Sequence, residues 1–160
     1  MDKHLRAKVS LKNPWHFAAF GFGAGLIPFM PGTFGSLVAI PLLIAMSYLN
    51  DYWFISITVL SFIVGIKICQ KASDAMGMHD HGSIVWDEIA GMFVTFLFIP
   101  ISITTLVAGF LLFRLFDILK PWPIRVFDKN VHGGFGIMID DIVAGAMACI
   151  CLHLILYYLM

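Results

Sequence analysis

The chain has 160 residues, a length that predicts a single domain. Hydrophobic residues make up 60% of it and charged residues only 12%, with a mean hydropathy of +0.91, whereas soluble proteins average about 25% charged residues. Because so few polar side chains could not cover the surface of a soluble domain, we expect a membrane protein. The formal net charge of zero argues against nucleic acid as a partner.

The chain opens with a polar, basic stretch. We expect residues 1–12 to form a short arm that is mobile or lies on anionic lipid headgroups, and residues 13–160 to form one helical membrane domain. Asn13 followed by Pro14 predicts a helix that starts there, because asparagine is a good N-cap and proline suits the first helical position. Trp15 suits a helix at the membrane interface.

Residues 21–36 (GFGAGLIPFMPGTFGS) predict a broken or re-entrant segment rather than a continuous helix, because glycine and proline recur throughout. Their GxGxG pattern follows no predicted strand, so a dinucleotide site is not expected. The hydroxyls of Thr33 and Ser36 could bind phosphate or cap the next helix. This stretch alone favours the cap.

Long apolar segments occupy most of the remaining chain. Asn50-Asp51 joins the first two in a tight hairpin, Pro100 lies between the next two, and Lys120-Pro121-Trp122-Pro123 ends the fourth. A polar loop is predicted over 121–136. The pattern predicts an all-α fold, a compact polytopic bundle of about five membrane-spanning helices, with segments at 36–49, 53–69, 89–99, 104–119 and 137–159.

Lysine and arginine predict the orientation of this bundle. All of them fall on one predicted face, in the arm, the 67–86 loop and the 114–136 region, while the turns at 50–52 and 100–103 have none. Because basic loops stay in the cytoplasm, the arm and both acidic clusters described next are expected there.

Two acidic clusters stand out against this apolar background: HDHGSIVWDEIAGM (79–92) and DKNVHGGFGIMIDD (128–141). Polar residues near membrane helices usually mark function. Each cluster holds an adjacent pair, Asp87-Glu88 and Asp140-Asp141. Neighbours on a helix diverge by about 100°, so one of each pair could face the interior and the other a partner helix. The alternative is that both pairs merely compensate the dipoles of helix starts.

Clustered carboxylates with few histidines favour a hard cation, Mg²⁺ first. The C-x5-R and Asp-x-Asp phosphatase signatures are missing from the sequence, so the expected chemistry is metal-assisted attack by water with a carboxylate or histidine as base. His79, His81 and His132 are possible acids or bases, though each alone is more often structural. Asp117 and Arg114 share a helical face, either as a salt bridge or as phosphate-orienting groups.

Several motifs in this order resemble the phosphatidylglycerophosphatase A family. They are NPWH (13–16), PGTFGS (31–36), HDHGSIVWDEIAGM (79–92), FRLFDILKPWPIR (113–125) and FDKNVHGGFGIMIDDIVAG (127–145). The resemblance implies a Mg²⁺-dependent phosphatase of the bacterial inner membrane, multi-pass, with a cytoplasmic active site. Its reaction would convert phosphatidylglycerophosphate to phosphatidylglycerol and phosphate. It also implies a helical fold built around a central helix.

The resemblance also suggests site residues. Metal binding or water activation would fall to five acidic positions, Asp87, Glu88, Asp128, Asp140 and Asp141. We expect catalysis to involve Asp87, Glu88, Asp141 and His132. Substrate contacts are expected from Thr33, Ser36, Lys120, Arg125 and Lys129.

Two other functions fit parts of the pattern. Intramembrane carboxylates and a broken glycine-rich segment would also suit an ion-coupled transporter or a channel. A phospholipid-synthesising transferase uses metal-bound aspartates as well, but its usual motif starts with Asp-Gly, which this sequence lacks. Membrane lipids are expected partners in each case.

Overall fold

A computed structural model describes residues 9–78 and 81–159. These residues form helices joined by short connections, with no strand among them, so the all-α prediction is confirmed. Most of the basic arm, as well as His79 and Asp80, lies outside the described residues. The helices are α1 (Pro14–Ala19), a 3-10 segment (Gly21–Leu26), α2 (Pro31–Met46), α3 (Asp51–Met76), α4 (Trp86–Thr95), α5 (Ile103–Leu119), α6 (Ile124–Asn130) and α7 (Gly133–Leu159).

The N-terminal elements follow the local sequence signals. The side chain of Asn13 accepts a hydrogen bond from the backbone N–H of Trp15 at 3.0 Å, and α1 begins at Pro14 as predicted. The glycine-rich stretch is broken, as expected. It turns through Gly23, whose φ of +103° is a conformation that glycine adopts at little cost.

Helix α2 begins five residues earlier than predicted, at Pro31 rather than Ser36. Thr33 and Ser36 therefore lie inside its first turns, so the prediction that they cap the following helix is wrong. The hydroxyl of Ser36 donates to the carbonyl of Gly32 at 2.9 Å. Proline at the first helical position explains the early start, since it lacks only an N–H that would be unpaired there anyway.

Helix α3 starts at the predicted hairpin, where the side chain of Asn50 accepts from the N–H of Trp53 at 3.1 Å. It continues past Cys69, the predicted end, to Met76, because no residue before Gly77 breaks it. Gly77 adopts a left-handed conformation with a φ of +68° and ends the helix.

Two helices are long and apolar enough to cross a membrane, α3 and residues 133–158 of α7. They are the two that qualify by length and composition among the described residues, so the predicted count of about five spans is not confirmed. Helix α4 shows why the count is hard to derive from hydropathy. Its ten residues are about 15 Å long, half of what a bilayer core requires.

Helix α4 lies at the centre of the fold, as the family resemblance implied. It packs against α2, α3, α5 and α7, and three of its apolar side chains, Ile89, Ala90 and Met92, have no exposed surface. A helix that is buried on all sides is apolar on all sides, so its sequence resembles that of a membrane-spanning helix.

The C-terminal region differs from the prediction in two ways. The expected polar loop over 121–136 contains a short helix, α6. Helix α7 then begins at Gly133 rather than at residue 137. Asp140 and Asp141 therefore lie about two turns inside α7, too far from its start for the helix dipole to explain them.

Candidate active site

The site is organised by a close crossing of α4 and α7 at two glycines. A β-carbon on Gly145 would lie 2.3 Å from the carbonyl oxygen of Gly91, and one on Gly91 would lie 2.8 Å from the carbonyl oxygen of Asp141. Asp87 precedes Gly91 by four residues and Asp141 precedes Gly145 by four. Because residues four apart share a helical face, the same contact places both aspartates at the crossing.

A cavity of about 170 Å³ opens beside this crossing. Both members of each acidic pair line it, which departs from the expectation that one of each pair would face elsewhere. Asp87 and Asp141 are buried, and Glu88 is half-buried. The lining residues are Gly82, Ile84, Asp87, Glu88, Asp117, Lys120, Asp140 and Asp141.

Three of these carboxylates are placed to share a cation. Asp87, Glu88 and Asp141 each offer an oxygen, and these oxygens lie within 4.8 Å of one another. Among the described residues, five carboxyl groups and one lysine line the cavity. Oε2 of Glu88 is buried with no hydrogen-bond partner among the described residues. A buried, unpaired carboxylate oxygen is costly, so this donor set fits a hard divalent cation.

The surroundings of the cavity shift the pKa of Glu88. Burial raises the pKa of Glu88 to about 8, and the nearby carboxylate of Asp141 adds to the rise. Asp87 and Arg114 oppose it. A bound cation would therefore compete with a proton at Glu88.

Arg114 lies next to Glu88, beside the three carboxylates that could share a cation. Its Nη1 donates to Oδ2 of Asp117 at 2.5 Å, and both side chains are 14% exposed. A β-carbon on Gly32 would lie 2.3 Å from Oε1 of Glu88 and 3.2 Å from Nη1 of Arg114. Gly32 is thus the residue of the PGTFGS motif that contacts Glu88 and Arg114. A side chain there would displace Glu88 or Arg114.

Lys120 joins two of the predicted metal ligands. Its ammonium group donates to Asp128 and, at 2.8 Å, to Oδ2 of Asp140. Burial by itself would lower the pKa of Lys120, but the bonds to Asp128 and Asp140 outweigh that effect and raise it. The side chain of Asp128 is 33% exposed and lies outside the cavity lining. In this arrangement Asp128 serves as an ion-pair partner of Lys120.

The predicted hydroxyl contacts lie outside the cavity lining. Ser36 is fully buried, with its hydroxyl bonded to its own helix. Thr33 is half-buried in the first turn of α2. Their predicted roles in substrate binding remain predictions.

None of the described histidines lines this cavity either. His132 is exposed immediately before α7. Nδ1 of His81 accepts from the N–H of Ser83 at 3.1 Å, as expected for a polar turn. The catalytic role predicted for His132 is untested by this placement.

Arg125 and Lys129 lie on the outer side of Lys120, on α6. Both are exposed, and together with Lys120 they line a second, larger cavity of about 400 Å³. Lys120 therefore lies between the acidic cavity and a basic one.

Sequence reasoning missed the two crossing glycines and Gly32, although a signal was present. The stretch DEIAG ends at Gly91 and DIVAG ends at Gly145, so the same Asp-x-x-Ala-Gly spacing occurs in both helices. Alanine and glycine one turn after an aspartate indicate close backbone contact beside a polar group.

Comparison with known proteins identifies the family of the chain. The family profile for phosphatidylglycerophosphatase A matches residues 17–156. A phosphatidylglycerophosphatase A of Escherichia coli is 48% identical over 151 residues, covering 94% of this chain and 88% of that protein. One from Haemophilus influenzae is 50% identical over 155 residues, covering 96% and 95%.

A more distant relative comes from Bacteroides thetaiotaomicron. It is provisionally named a phosphatidylinositol-3-phosphatase and is 36% identical over 138 residues, 81% of this chain and 86% of that protein. No solved structure matches the chain.

Proposed function

Because the chain belongs to the phosphatidylglycerophosphatase A family, we propose that it is a Mg²⁺-dependent phosphatase that hydrolyses phosphatidylglycerophosphate to phosphatidylglycerol and phosphate. The observation that carries the proposal is the convergence of Asp87, Glu88 and Asp141 within 4.8 Å. Carboxylates brought so close repel one another unless a cation or proton compensates them.

Mg²⁺ would be held by Asp87, Glu88 and Asp141. When bound, it supplies Lewis-acid polarisation of a phosphoryl oxygen and lowers the pKa of a coordinated water. Asp140 would support the site from outside this trio, because its Oδ2 is held by Lys120. That ion pair orients Asp140 towards the cavity and limits the excess of negative charge that an anionic substrate would meet.

The remaining steps belong to the chain's own residues. Oε2 of Glu88 is buried with no hydrogen-bond partner among the described residues, so we propose that Glu88 accepts the proton of the attacking water. As the water oxygen bonds to phosphorus, the bond to the glyceryl oxygen breaks. The proton held by Glu88 then balances the charge on that leaving oxygen.

Arg114 is positioned to compensate the phosphoryl group. Its guanidinium is oriented by Asp117 and lies beside Glu88 across Gly32. Planar guanidinium groups bind phosphate oxygens well, and preorganised charge next to the reacting group lowers the barrier.

The activity test uses purified protein in detergent with phosphatidylglycerophosphate, with release of inorganic phosphate as the readout. Phosphate release should require Mg²⁺ and stop with a chelator. Absence of Mg²⁺-dependent release would refute the proposal. Substrate uptake or ionic current in proteoliposomes without phosphate release would instead favour a transporter.

We also propose that the enzyme is a multi-pass protein of the bacterial inner membrane with its site facing the cytoplasm. The two apolar helices and the basic residues around the site support this orientation. It is tested with a membrane-impermeant thiol reagent on Tyr52→Cys and Lys67→Cys, with the wild type as background. Tyr52→Cys should react in intact spheroplasts and Lys67→Cys only after permeabilisation; the reverse pattern would overturn the orientation.

A further inference from the structure

A second cavity, which we call the basic pocket, adjoins the acidic one. It has a volume of about 400 Å³ and shares Lys120 with the acidic cavity. Its other cations, Arg125 and Lys129, lie one turn apart on α6. Three cations around one concave surface indicate an anionic ligand.

The charges of the basic pocket are unevenly compensated. Lys120 is already bonded to Asp128 and Asp140. Arg125 and Lys129 form no salt bridge with any carboxylate in the described part of the chain, and both are exposed. These two residues therefore supply the charge that remains for a ligand.

The rim of the basic pocket is apolar. Leu119 is 61% exposed, Trp122 80% and Val126 46%. An exposed tryptophan beside aliphatic residues and cations is typical of the membrane–water interface, where lipid headgroups lie. An anion that enters here is therefore expected to be part of a lipid whose acyl chains stay in the bilayer.

We propose that the basic pocket binds the phosphodiester of the lipid whose phosphomonoester lies in the acidic cavity. This inference rests on the proposed function. The proposed substrate carries both groups, joined by a glycerol unit. The two cavities adjoin at Lys120, so one extended headgroup can reach both. Arg125 and Lys129 would then select lipids that have a phosphodiester as well as a terminal phosphate.

The test compares two substrates with the same acyl chains in nonionic mixed micelles. Phosphatidylglycerophosphate has both phosphates, while phosphatidic acid has only the phosphomonoester. The double variant Arg125→Gln/Lys129→Gln is measured against wild type. Lys67→Gln serves as the matched control, because Lys67 is exposed on α3 and lines neither cavity.

In the double variant, the ratio of kcat/KM for phosphatidylglycerophosphate to that for phosphatidic acid should fall about tenfold, the effect of two exposed charge contacts. Lys67→Gln should leave the ratio unchanged. An unchanged ratio would overturn the proposal. If kcat/KM fell equally on both substrates, the two residues would provide only general attraction to anionic surfaces. If wild type hydrolyses neither lipid, the proposed function fails and this inference fails with it.

A second measurement does not depend on hydrolysis of phosphatidic acid. Phosphatidylglycerol keeps the phosphodiester and lacks the phosphomonoester, so it should inhibit by occupying the basic pocket. Its inhibition constant should rise about tenfold in the double variant. Diacylglycerol, which has no phosphate, should inhibit both proteins equally. An inhibition constant for phosphatidylglycerol that is the same in both proteins would overturn the proposal.

Discussion

Gly145 in α7 packs against the carbonyl oxygen of Gly91 in α4, so closely that a β-carbon on Gly145 would lie 2.3 Å from that oxygen. The contact lies one turn from Asp87 on one helix and one turn from Asp141 on the other. Helix packing and the geometry of the acidic cluster therefore depend on the same pair of residues.

Gly145→Ala should separate the two helices and move Asp141 away from Asp87. Because the added methyl group meets backbone, the expected destabilisation is about 1–3 kcal/mol, with loss of most Mg²⁺-dependent activity. Thermal unfolding and phosphate release are the measurements. Ser56→Thr, which adds a methyl group at an exposed position of α3, is the control. Full activity in Gly145→Ala would show that the crossing tolerates a wider spacing.

Replacing Asp141 by Asn should affect activity and metal-free stability in opposite directions. Activity should fall at least about 100-fold, as expected when a group that stabilises the transition state is lost. The metal-free protein should unfold at a higher temperature, because one of several crowded carboxylates is neutralised. Mg²⁺ should no longer raise the unfolding temperature.

Asp74→Asn is the matched control for Asp141→Asn, since Asp74 is exposed on α3 and bonds to Gln70. It should retain both activity and stabilisation by Mg²⁺. If Asp141→Asn also remained stabilised by Mg²⁺, Asp141 would not be a ligand.

The raised pKa of Glu88 predicts how stability depends on pH. Between the ordinary value of 4.5 and about 8, the folded metal-free protein binds one more proton at this site than the unfolded chain. Its stability should therefore fall as pH rises through this window. Mg²⁺ binding should strengthen over the same range, by up to about tenfold per pH unit, because the metal displaces the proton.

Thermal unfolding from pH 5 to pH 9, with and without Mg²⁺, checks this pH dependence. Glu88→Gln should flatten the metal-free curve over the window and weaken the effect of Mg²⁺. A metal-free curve that keeps its full slope in Glu88→Gln would assign the titration to another group.

Two substitutions distinguish ion pairing from metal binding at Asp128. Asp128→Asn removes an exposed partner of Lys120, so it should cost no more than about 1 kcal/mol and leave Mg²⁺ affinity within about twofold of wild type. Lys120→Gln leaves Asp140 buried without its cation and should cost about 3 kcal/mol or more. Calorimetric titration with Mg²⁺ provides the comparison, and a large loss of affinity in Asp128→Asn would support its predicted role as a ligand.

Substituting Gly32 tests the contact that joins the PGTFGS motif to the site. Gly32→Ala places a methyl group against Glu88 and Arg114, whose side-chain ends can move. Stability should therefore change little, whereas kcat should fall about tenfold or more through misplacement of the two groups. In this variant, kcat should therefore fall while the unfolding temperature stays close to that of the wild type. Wild-type kcat would show that Glu88 and Arg114 tolerate the displacement.

Local sequence determined a large part of this protein. The all-helical class, the broken segment over 21–36 and the hairpin at Asn50 followed from hydrophobicity, glycine content and capping residues, which act over a few neighbouring positions. The acidic pairs were visible as well, because carboxylates are rare in so apolar a chain. The family was recognisable from the order of several motifs.

Only the tertiary structure decided which carboxylates share one site. Asp128 and Asp141 belong to the same stretch of sequence, yet Asp128 pairs with Lys120 while Asp141 faces Asp87. Such choices depend on where two helices cross and how each is rotated about its axis, and packing of residues distant in sequence sets both. For the same reason, a short buried helix such as α4 looked like a span, and the contact of Gly32 with Glu88 and Arg114 could not be derived from the motif.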